Sequence, residues 1–437
     1  MLTRYISAIL AIAACGAPLF IIFGLAALLA YWKNDQDSQL IVVEINKLIK
    51  APHLYAIPIF TFAGYIMAES KMPQRIMRLS RALFGWMPGS LAIITIITCS
   101  VFTAFTGASG VTIIALGGLL YPAMMKDKYP ESFSSGLITA CGSLGLLFVP
   151  SVPIILLGTV SKINIEELYR AGVLPGILLM AILATYSIFK GRNTTRHEQA
   201  FNLKEIGDAL LESILEIPLP FIIIIGIYGS FFEATHAAAI TAVYVFIVEV
   251  FIHREVSFFR DVPRIARESM VLVGSILIIL SIALGFTGFV IDQEIPKKIL
   301  EWMQGFLGHD SKWTFLILLN IFLLIVGAFM DIFSAIIVIF PIILPIAESV
   351  GVNPVHLGII FLANLEIGYI TPPVGINLFI SSIRFKKSIT YLYRTSLPFL
   401  LLLIFGLLII TYWEGLSLFL VDFFKAKPLD AQAFLFY

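Results

Sequence analysis

The chain has 437 residues, 59% of them hydrophobic and only 13% charged, with a net charge of +1 and a mean hydropathy of +0.97. Soluble domains run near 45–50% apolar and about 25% charged, so this composition excludes a soluble globular protein, offers no basic surface for nucleic acid, and describes a polytopic membrane protein. Cys15, Cys99 and Cys141 lie in apolar stretches without metal or disulfide spacing, and the six histidines, His53, His236 and His356 among them, form no HExxH motif.

In chain order, Tyr5 to Tyr31 is a first span, too long for a signal-peptide core and therefore retained. Lys33 to Lys50 is amphipathic and suits an interfacial helix. Pro52 to Ala68 is a second span, followed by a connector carrying Lys71, Arg75, Arg78 and Arg81 and no acid before Pro88. Gly89 to Met125 is apolar but broken at Thr106-Gly107-Ala108-Ser109-Gly110. It is too long for one span of about 20 residues and too short for two with a turn, which predicts a re-entrant hairpin. Ser132 to Val160 is broken at Pro150-Ser151-Val152-Pro153, and Ala171 to Phe189 spans again.

Lys190 to Glu216 is the longest polar stretch and divides the chain. Ile217 to Phe232 and Ala237 to Ile252 form a helical pair. His253 to Glu268 is an amphipathic connector and Ser269 to Ile291 a span. Trp313 to Ala347 repeats the hairpin pattern, with its break at Gly327 to Asp331, and Leu397 to Leu420 is the last span. Between them stands Asn364 to Phe379, NLEIGYITPPVGINLF, where an apolar helix is interrupted by Gly368, Thr371, Pro372, Pro373 and Gly375. Two prolines remove two backbone donors, and Pro372 drives Thr371 out of the helical region. A simple kink needs one proline, and here Asn364, Glu366, Thr371 and Asn377 crowd the break. Unwound backbone inside a membrane is tolerated where protein or a water-filled cavity satisfies it, and such breaks are where secondary transporters bind ions and substrates.

The two halves are one unit. Sliding the chain so that Pro150 falls on Pro373 also puts Pro73 on Pro296, Gly85 on Gly308, Pro122 on Pro345 and Gly145 on Gly368. Three of the five prolines from Pro73 to Pro150 meet a proline, where chance gives roughly a quarter of one. The charge bias of the loops inverts between the halves. Ser70–Pro88 is purely basic and its partner Gln293–Ser311 mixed, whereas Arg384–Arg394 is basic and its partner Ser161–Ala171 balanced. With basic loops cytoplasmic, this predicts an inverted-topology repeat: residues 1–189 as the first unit, 190–233 as linker and unpaired spanning helix, 234–420 as the second unit, and 421–437 as a tail. The first unit holds a hairpin tip at 106–112 and a broken helix at 132–160, the second a tip at 327–332 and a broken helix at 355–383. The N-terminus is cytoplasmic, the C-terminus lies outside, about nine full spans result, and both tips meet both broken helices near the midplane.

Half-helix ends at the midplane present carbonyls for Na⁺ and N–H groups for an anion. The expected cation ligands are Thr106, Gly107, Ser109, Thr112 and Gly145 in the first unit, with Gly327, Asp331, Gly368, Thr371 and Gly375 in the second. The expected substrate contacts are Ser151, Asn364, Glu366, Pro372, Pro373 and Asn377. Asp331 is read as a cation ligand or as an orienter of ligands, with a helix N-cap on the tip as the plainer role. Glu366 has three open roles: cation ligand, proton carrier, or carboxylate facing a cavity.

The segments YAIPIFTFAGYIM (Tyr55 to Met67), GGLLYPAM (Gly117 to Met124), GAFMD (Gly327 to Asp331), NPVHLGII (Asn353 to Ile360) and NLEIGYITPPVGINLF resemble the large membrane subunit of tripartite ATP-independent periplasmic (TRAP) transporters, DctM-like, over almost the whole chain. The resemblance implies the elevator-type ion transporter fold. It also implies Na⁺-coupled uptake of a small carboxylate such as a C4-dicarboxylate, keto acid or sugar acid, across a bacterial inner membrane. Two partners come with it, a small four-helix membrane subunit and a periplasmic substrate-binding protein, and no organic cofactor. The chain departs from the family pattern at Gly107 to Thr112, at Gly145 to Ser151 and at Ala234-Thr235-His236. A stand-alone cation- or proton-coupled anion transporter on the same architecture is the alternative. An ATP-driven permease has no GxxxxGK[ST] loop here to support it, and an enzyme would need a nucleophile–base or metal constellation that the sequence does not offer.

Overall fold

A computed structural model describes residues 19–33, 52–87, 89–191, 202–228, 232–294 and 312–426, with single positions between 37 and 50 and Lys298. Among these the secondary structure is entirely helical. The start of the first span, most of the interfacial helix and most of the 293–311 connector lie outside the described residues.

The first unit runs through α1 (Leu19–Lys33), a short 3₁₀ turn (Pro52–Tyr55), α2 (Ala56–Glu69) and the amphipathic α3 (Met72–Phe84). The hairpin α4 (Ser90–Thr106) and α5 (Ser109–Lys126) follows, then the broken helix α6 (Glu131–Cys141) and α7 (Val152–Ser161), and the long α8 (Ile165–Gly191). A 3₁₀ turn at Leu144–Leu147 sits inside the break. α9 (Leu203–Glu212) and α10 (Pro218–Tyr228) form the linker. The second unit holds α11 (Ala234–Phe246), which ends in a π turn at Ile247–Ile252, and α12 (Asp261–Asp292). Its hairpin is α13 (Lys312–Phe329) with α14 (Ile332–Val338) and α15 (Phe340–Ser349). The broken helix α16 (Pro354–Gly368) and α17 (Ile376–Phe385), then α18 (Ile389–Tyr412) and α19 (Glu414–Ala426), complete it.

Six described helices are long and apolar enough to cross a membrane, or eight if each sharply bent pair counts as one span. The pair α6–α7 bends by 45° and α14–α15 by 55°. Proline explains both: Pro150 and Pro153 lie at the first bend and Pro341 just past the second, each lacking the N–H that would continue the helix.

The repeat is visible in the element boundaries. Ser143 and Glu366, which are 223 positions apart, touch each other: the Ser143 hydroxyl donates to the Glu366 carbonyl at 3.2 Å. At that offset Glu69 at the end of α2 falls on Asp292 at the end of α12, and Thr106 on Phe329 at the ends of the first hairpin arms. Ser109 falls on Ile332, and Glu131 on Pro354, at helix starts. The prolines of the two breaks, Pro150 and Pro373, are both cis. Glycine permits the same close crossing twice. A Cβ at Gly145 would stand 2.5 Å from the Ala104 nitrogen, and one at Gly368 2.5 Å from the Cα of Gly327, the counterpart of Ala104.

The helices fall into an outer frame and a central body that pack closely on each other. α2 lies on α11, and α12 on α1 and α2. In the body the halves interlock: hairpin arm α5 of the first unit packs on α17 of the second, and α14 of the second on α7 of the first. Arg384 lies across the face of α5 at Gly117 and Gly118, and Tyr121 stacks on Phe385 at 4.7 Å.

Ion pairs gather the connectors into two groups at opposite ends of α8. One group joins Arg264 to Glu69 (2.9 Å), Arg78 to Glu205 (3.2 Å) and to Glu212, and Lys387 to Glu131. The other joins Lys312 to Glu414 and Lys425 to Glu167, each at 3.0 Å. Every pair links ends that the charge bias of the sequence puts on the same side. At the first end α3 forms an amphipathic arm whose buried Arg75 meets Glu216, Glu249 (3.1 Å) and Glu255 (2.8 Å), which ties this arm to the linker and to the π turn and loop after α11. Burial works against the Glu255 carboxylate, but the Lys71 amide and Arg75 outweigh it and hold the group below the usual carboxylate range.

Two expectations are corrected. The span expected to start at Ser269 is helical from Asp261, inside the amphipathic connector expected at His253 to Glu268, and Arg264 pairs with Asp261 and Glu268 along this helix. The last span, expected at Leu397 to Leu420, begins at Ile389 and stops at Trp413, so the expected boundary at 420 falls inside α19. Ser388 caps the start of α18 by accepting from the Tyr391 N–H.

Candidate functional site

The two hairpin tips and both helix breaks line one cavity of about 230 Å³. Gly107, Ala108, Ser109 and Gly110 come from the first tip, and Asp331, Ile332, Phe333 and Ser334 from the second. Leu146 comes from the first break, Tyr369 and Ile376 from the second. Leu272, Ser275, Ile276 and Ile279 of α12, a frame helix, close the remaining side.

The first tip is built from neutral oxygens. Gly107 caps α4 with φ +64°, a left-handed conformation that favours glycine, and α5 starts two residues later. Behind the tip, the Thr112 and Thr103 hydroxyls are 2.7 Å apart, and Thr103 donates to the Gly142 carbonyl at 3.0 Å. Hairpin and break are thus tied together. Thr106 is buried at the end of α4.

A carboxylate organises the second tip. Asp331 caps α14, accepting from the Ser334 N–H at 2.9 Å and from the Ser334 hydroxyl at 2.6 Å. The Ile332 N–H donates to the Tyr369 hydroxyl at 2.8 Å, which brings the second break onto the tip. From the break, the Gly375 N–H donates to the Ala328 carbonyl at 2.9 Å. The Thr371 hydroxyl turns back onto the Ile367 carbonyl at 3.0 Å. Asp331 therefore fills the plainer role weighed for it, and its carboxylate also lines the cavity.

Of the residues singled out as cation ligands, Gly107, Ser109 and Asp331 line the cavity. Gly145, Gly327 and Gly368 stand behind it at the close helix crossings, and Thr371 and Gly375 shape the second break. The residues singled out for substrate divide into two exposed prolines and four buried polar side chains. Pro372 and Pro373 form the turn of that break, where the Tyr393 hydroxyl donates to the Pro373 carbonyl. Ser151, Asn364, Glu366 and Asn377 are all buried, and each carries at least one side-chain oxygen without a hydrogen-bond partner: Ser151 Oγ, Asn364 Oδ1, both Glu366 oxygens and Asn377 Oδ1. Asn377 donates to the Thr139 carbonyl at 3.4 Å. Asn364 instead donates to Asn320 Oδ1 at 2.7 Å, and Asn320 donates to the Thr411 hydroxyl, a buried chain that pins α16 to α13 and α18. Buried polar atoms without partners are uncommon in native proteins. Five of them, on four residues at one pair of breaks, give this region capacity for cations, protons or water.

Sequence reasoning missed Ser334, Tyr369, Asn320, Thr411 and the α12 wall. Asp331 with Ser334 three residues on is a readable capping signal. Tyr369 stood inside the quoted motif. Nothing local marks the partners of Asn364, which are distant in the chain.

The chain matches the family described as "Tripartite ATP-independent periplasmic transporter, DctM component" over residues 6–416. It is 32% identical over 427 residues to the C4-dicarboxylate TRAP transporter large permease protein of Rhodobacter capsulatus, covering 94% of this chain and 96% of that one. It is 30% identical over 382 residues to an ectoine/5-hydroxyectoine TRAP transporter large permease protein of Ruegeria pomeroyi, covering 87% of this chain and 88% of that one. In fold it resembles the crystal structure of the Alcanivorax borkumensis YdaH transporter, described as having an unusual topology, with a TM-score of 0.58 at 15% identity over 88% of this chain and 89% of that one.

Proposed function

Since the chain belongs to the DctM component family of TRAP transporters, we propose that it is the membrane subunit of a Na⁺-coupled uptake system for a small organic anion, supplied by a periplasmic binding protein and assembled with a small four-helix membrane subunit in a bacterial inner membrane. The observation that carries this reading is the single cavity lined by both hairpin tips and both breaks, closed by a helix of the frame. N–H groups at the starts of α5 and α17 suit the anion. Carbonyls at the ends of α4, α13 and α16, with the Asp331 carboxylate, suit the cation, since Na⁺ favours hard oxygen ligands as other hard cations do. The interlocked hairpins and broken helices move as one body past the frame of α1, α2, α11 and α12. Two halves of opposite orientation supply inward- and outward-open states from similar contacts. The C4-dicarboxylate and the ectoines named for the two relatives above favour a carboxylate-bearing cargo.

The enclosed Glu366 carboxyl favours a second reading, proton coupling. At 1% exposure and without a partner, an ionised carboxylate is costly inside a membrane, so it holds either a cation or a proton. Uptake into proteoliposomes decides between them, with this chain and its small subunit in the membrane and a loaded binding protein outside. Uptake that needs the binding protein and an inward Na⁺ gradient is the expected result. Uptake driven by a pH gradient alone, or without the binding protein, would replace it with the stand-alone or proton-coupled form.

A further inference from the structure

Helix α12 is longer than its place in the membrane requires. Its 32 residues span about 48 Å at 1.5 Å per residue, against a hydrocarbon core of about 30 Å. Its repeat counterpart α2 has only 14 residues and matches the last 14 of α12. The first turns of α12 and the loop before them therefore extend beyond the part that α2 matches, and their composition is distinctive. Phe246, Phe251, Phe258 and Phe259 form a chain of ring contacts with centroids 5.0–6.1 Å apart. Phe251, Ile252 and Phe258 are about half exposed, and Phe259 is 89% exposed.

Among these rings stand Arg254, Arg260 and Arg267, all exposed. Arg264, between them, is paired with Glu69, Asp261 and Glu268, whereas the other three have no carboxylate partner among the described residues. Arg254 donates to the Phe251 carbonyl at 3.4 Å. Exposed phenylalanines at the end of two spans, ringed by unpaired arginines, match the two layers of a membrane surface: acyl chains for the rings and phosphate for the guanidiniums.

We propose that residues 251–267 form a docking surface for the phosphodiester headgroup of an anionic phospholipid in the leaflet at this face. Phe251, Phe258 and Phe259 lie at the acyl boundary, and Arg254, Arg260 and Arg267 hold the phosphate. Arginine suits this because its planar fork bonds two phosphate oxygens at once. The surface belongs to the frame, on the same α12 that closes the cavity farther along its length. A lipid held there steadies the wall past which the body moves.

The test is native mass spectrometry of the full chain released from nanodiscs of mixed phosphatidylglycerol and phosphatidylcholine, alone and with its small membrane subunit. The variants are R254Q/R260Q/R267Q and, separately, F259S. Size exclusion and thermal melting check that each is folded. Wild type should retain phosphatidylglycerol in preference to phosphatidylcholine, and the triple variant should retain about threefold less phosphatidylglycerol with phosphatidylcholine unchanged. F259S should weaken both lipids. Equal phosphatidylglycerol retention by wild type and triple variant would overturn the proposal. So would a triple variant that keeps its lipid and loses the small subunit, which would make the surface a protein interface.

Discussion

The two hairpin tips share a register but not a chemistry. Ser109 and Ile332 start equivalent helices, and both tips reach one cavity. The first turns on a left-handed glycine and presents hydroxyls. The second turns on Asp331, a carboxylate bound to Ser334 and backed by Tyr369. The connectors differ in the same way. Arg75 anchors the first arm among three glutamates, whereas its counterpart at the repeat offset, Lys298, is exposed and donates to the Gln293 carbonyl. The duplicated unit keeps the same close crossing in both halves, at Gly145 and Gly368, where a Cβ would collide with the facing backbone. Its side chains are free to divide the work: charge collects at tip two and anchoring at arm one.

Substitutions that treat the halves unequally sharpen this contrast. The largest effect is expected at Asp331. D331A should reduce Na⁺-dependent uptake by about 10–100-fold, while the lost cap costs only about 1 kcal/mol of stability. D331N keeps an acceptor for the cap, so an uptake defect in D331N that matches D331A would assign the loss to charge rather than to tip geometry.

R75A should be next, since it leaves three carboxylates near one another without their cation. A loss of about 3–5 kcal/mol is expected, read as a lower melting temperature in detergent. The pH dependence supplies the sign. Glu255 is held below its ordinary range, so its contribution is present at neutral pH and is lost as pH falls through its folded value. In R75A that acid-sensitive step should move to higher pH, and an unmoved step would exclude Arg75 as its cause.

G145A and G368A should each cost about 1–3 kcal/mol through overpacking at the helix crossing. Similar melting shifts for the two would support structural equivalence of the halves, and a large shift in only one would break it. S109A should be mildest, weakening apparent Na⁺ affinity by a few fold, about 1 kcal/mol for one neutral hydroxyl. A defect as deep as that of D331A would mean that the Ser109 hydroxyl holds the ion as strongly as the carboxylate does.

Much of this architecture was legible because membrane insertion writes it locally. Prolines and glycines that interrupt apolar runs marked both hairpins and both breaks, and matching prolines revealed the repeat. Loop charges sorted the helix ends into the two groups that the ion pairs join. What stayed hidden depends on partners remote in the chain. The three glutamates of Arg75 come from the linker, the π turn and the loop after it, and no periodicity ties Glu249 to α3. Asn364 reads as a site residue at the break, yet its amide is spent on Asn320. Glu366 reads as a site residue with three open roles, and the structure adds that its side chain is enclosed at 1% exposure. The end of the last span was misjudged because the run from Leu397 to Leu420 stays apolar through the stop at Trp413.

The interlocking of the halves also bears on how the protein is made. Arm α5 emerges from the ribosome some 250 residues before its packing partner α17, and α7 waits similarly for α14. Until then the first half must sit in the bilayer with these faces turned to lipid or to an insertion factor. The decisive step of assembly is therefore late: the first half inserts early, and its packing is completed only when α14 and α17 of the second half reach it.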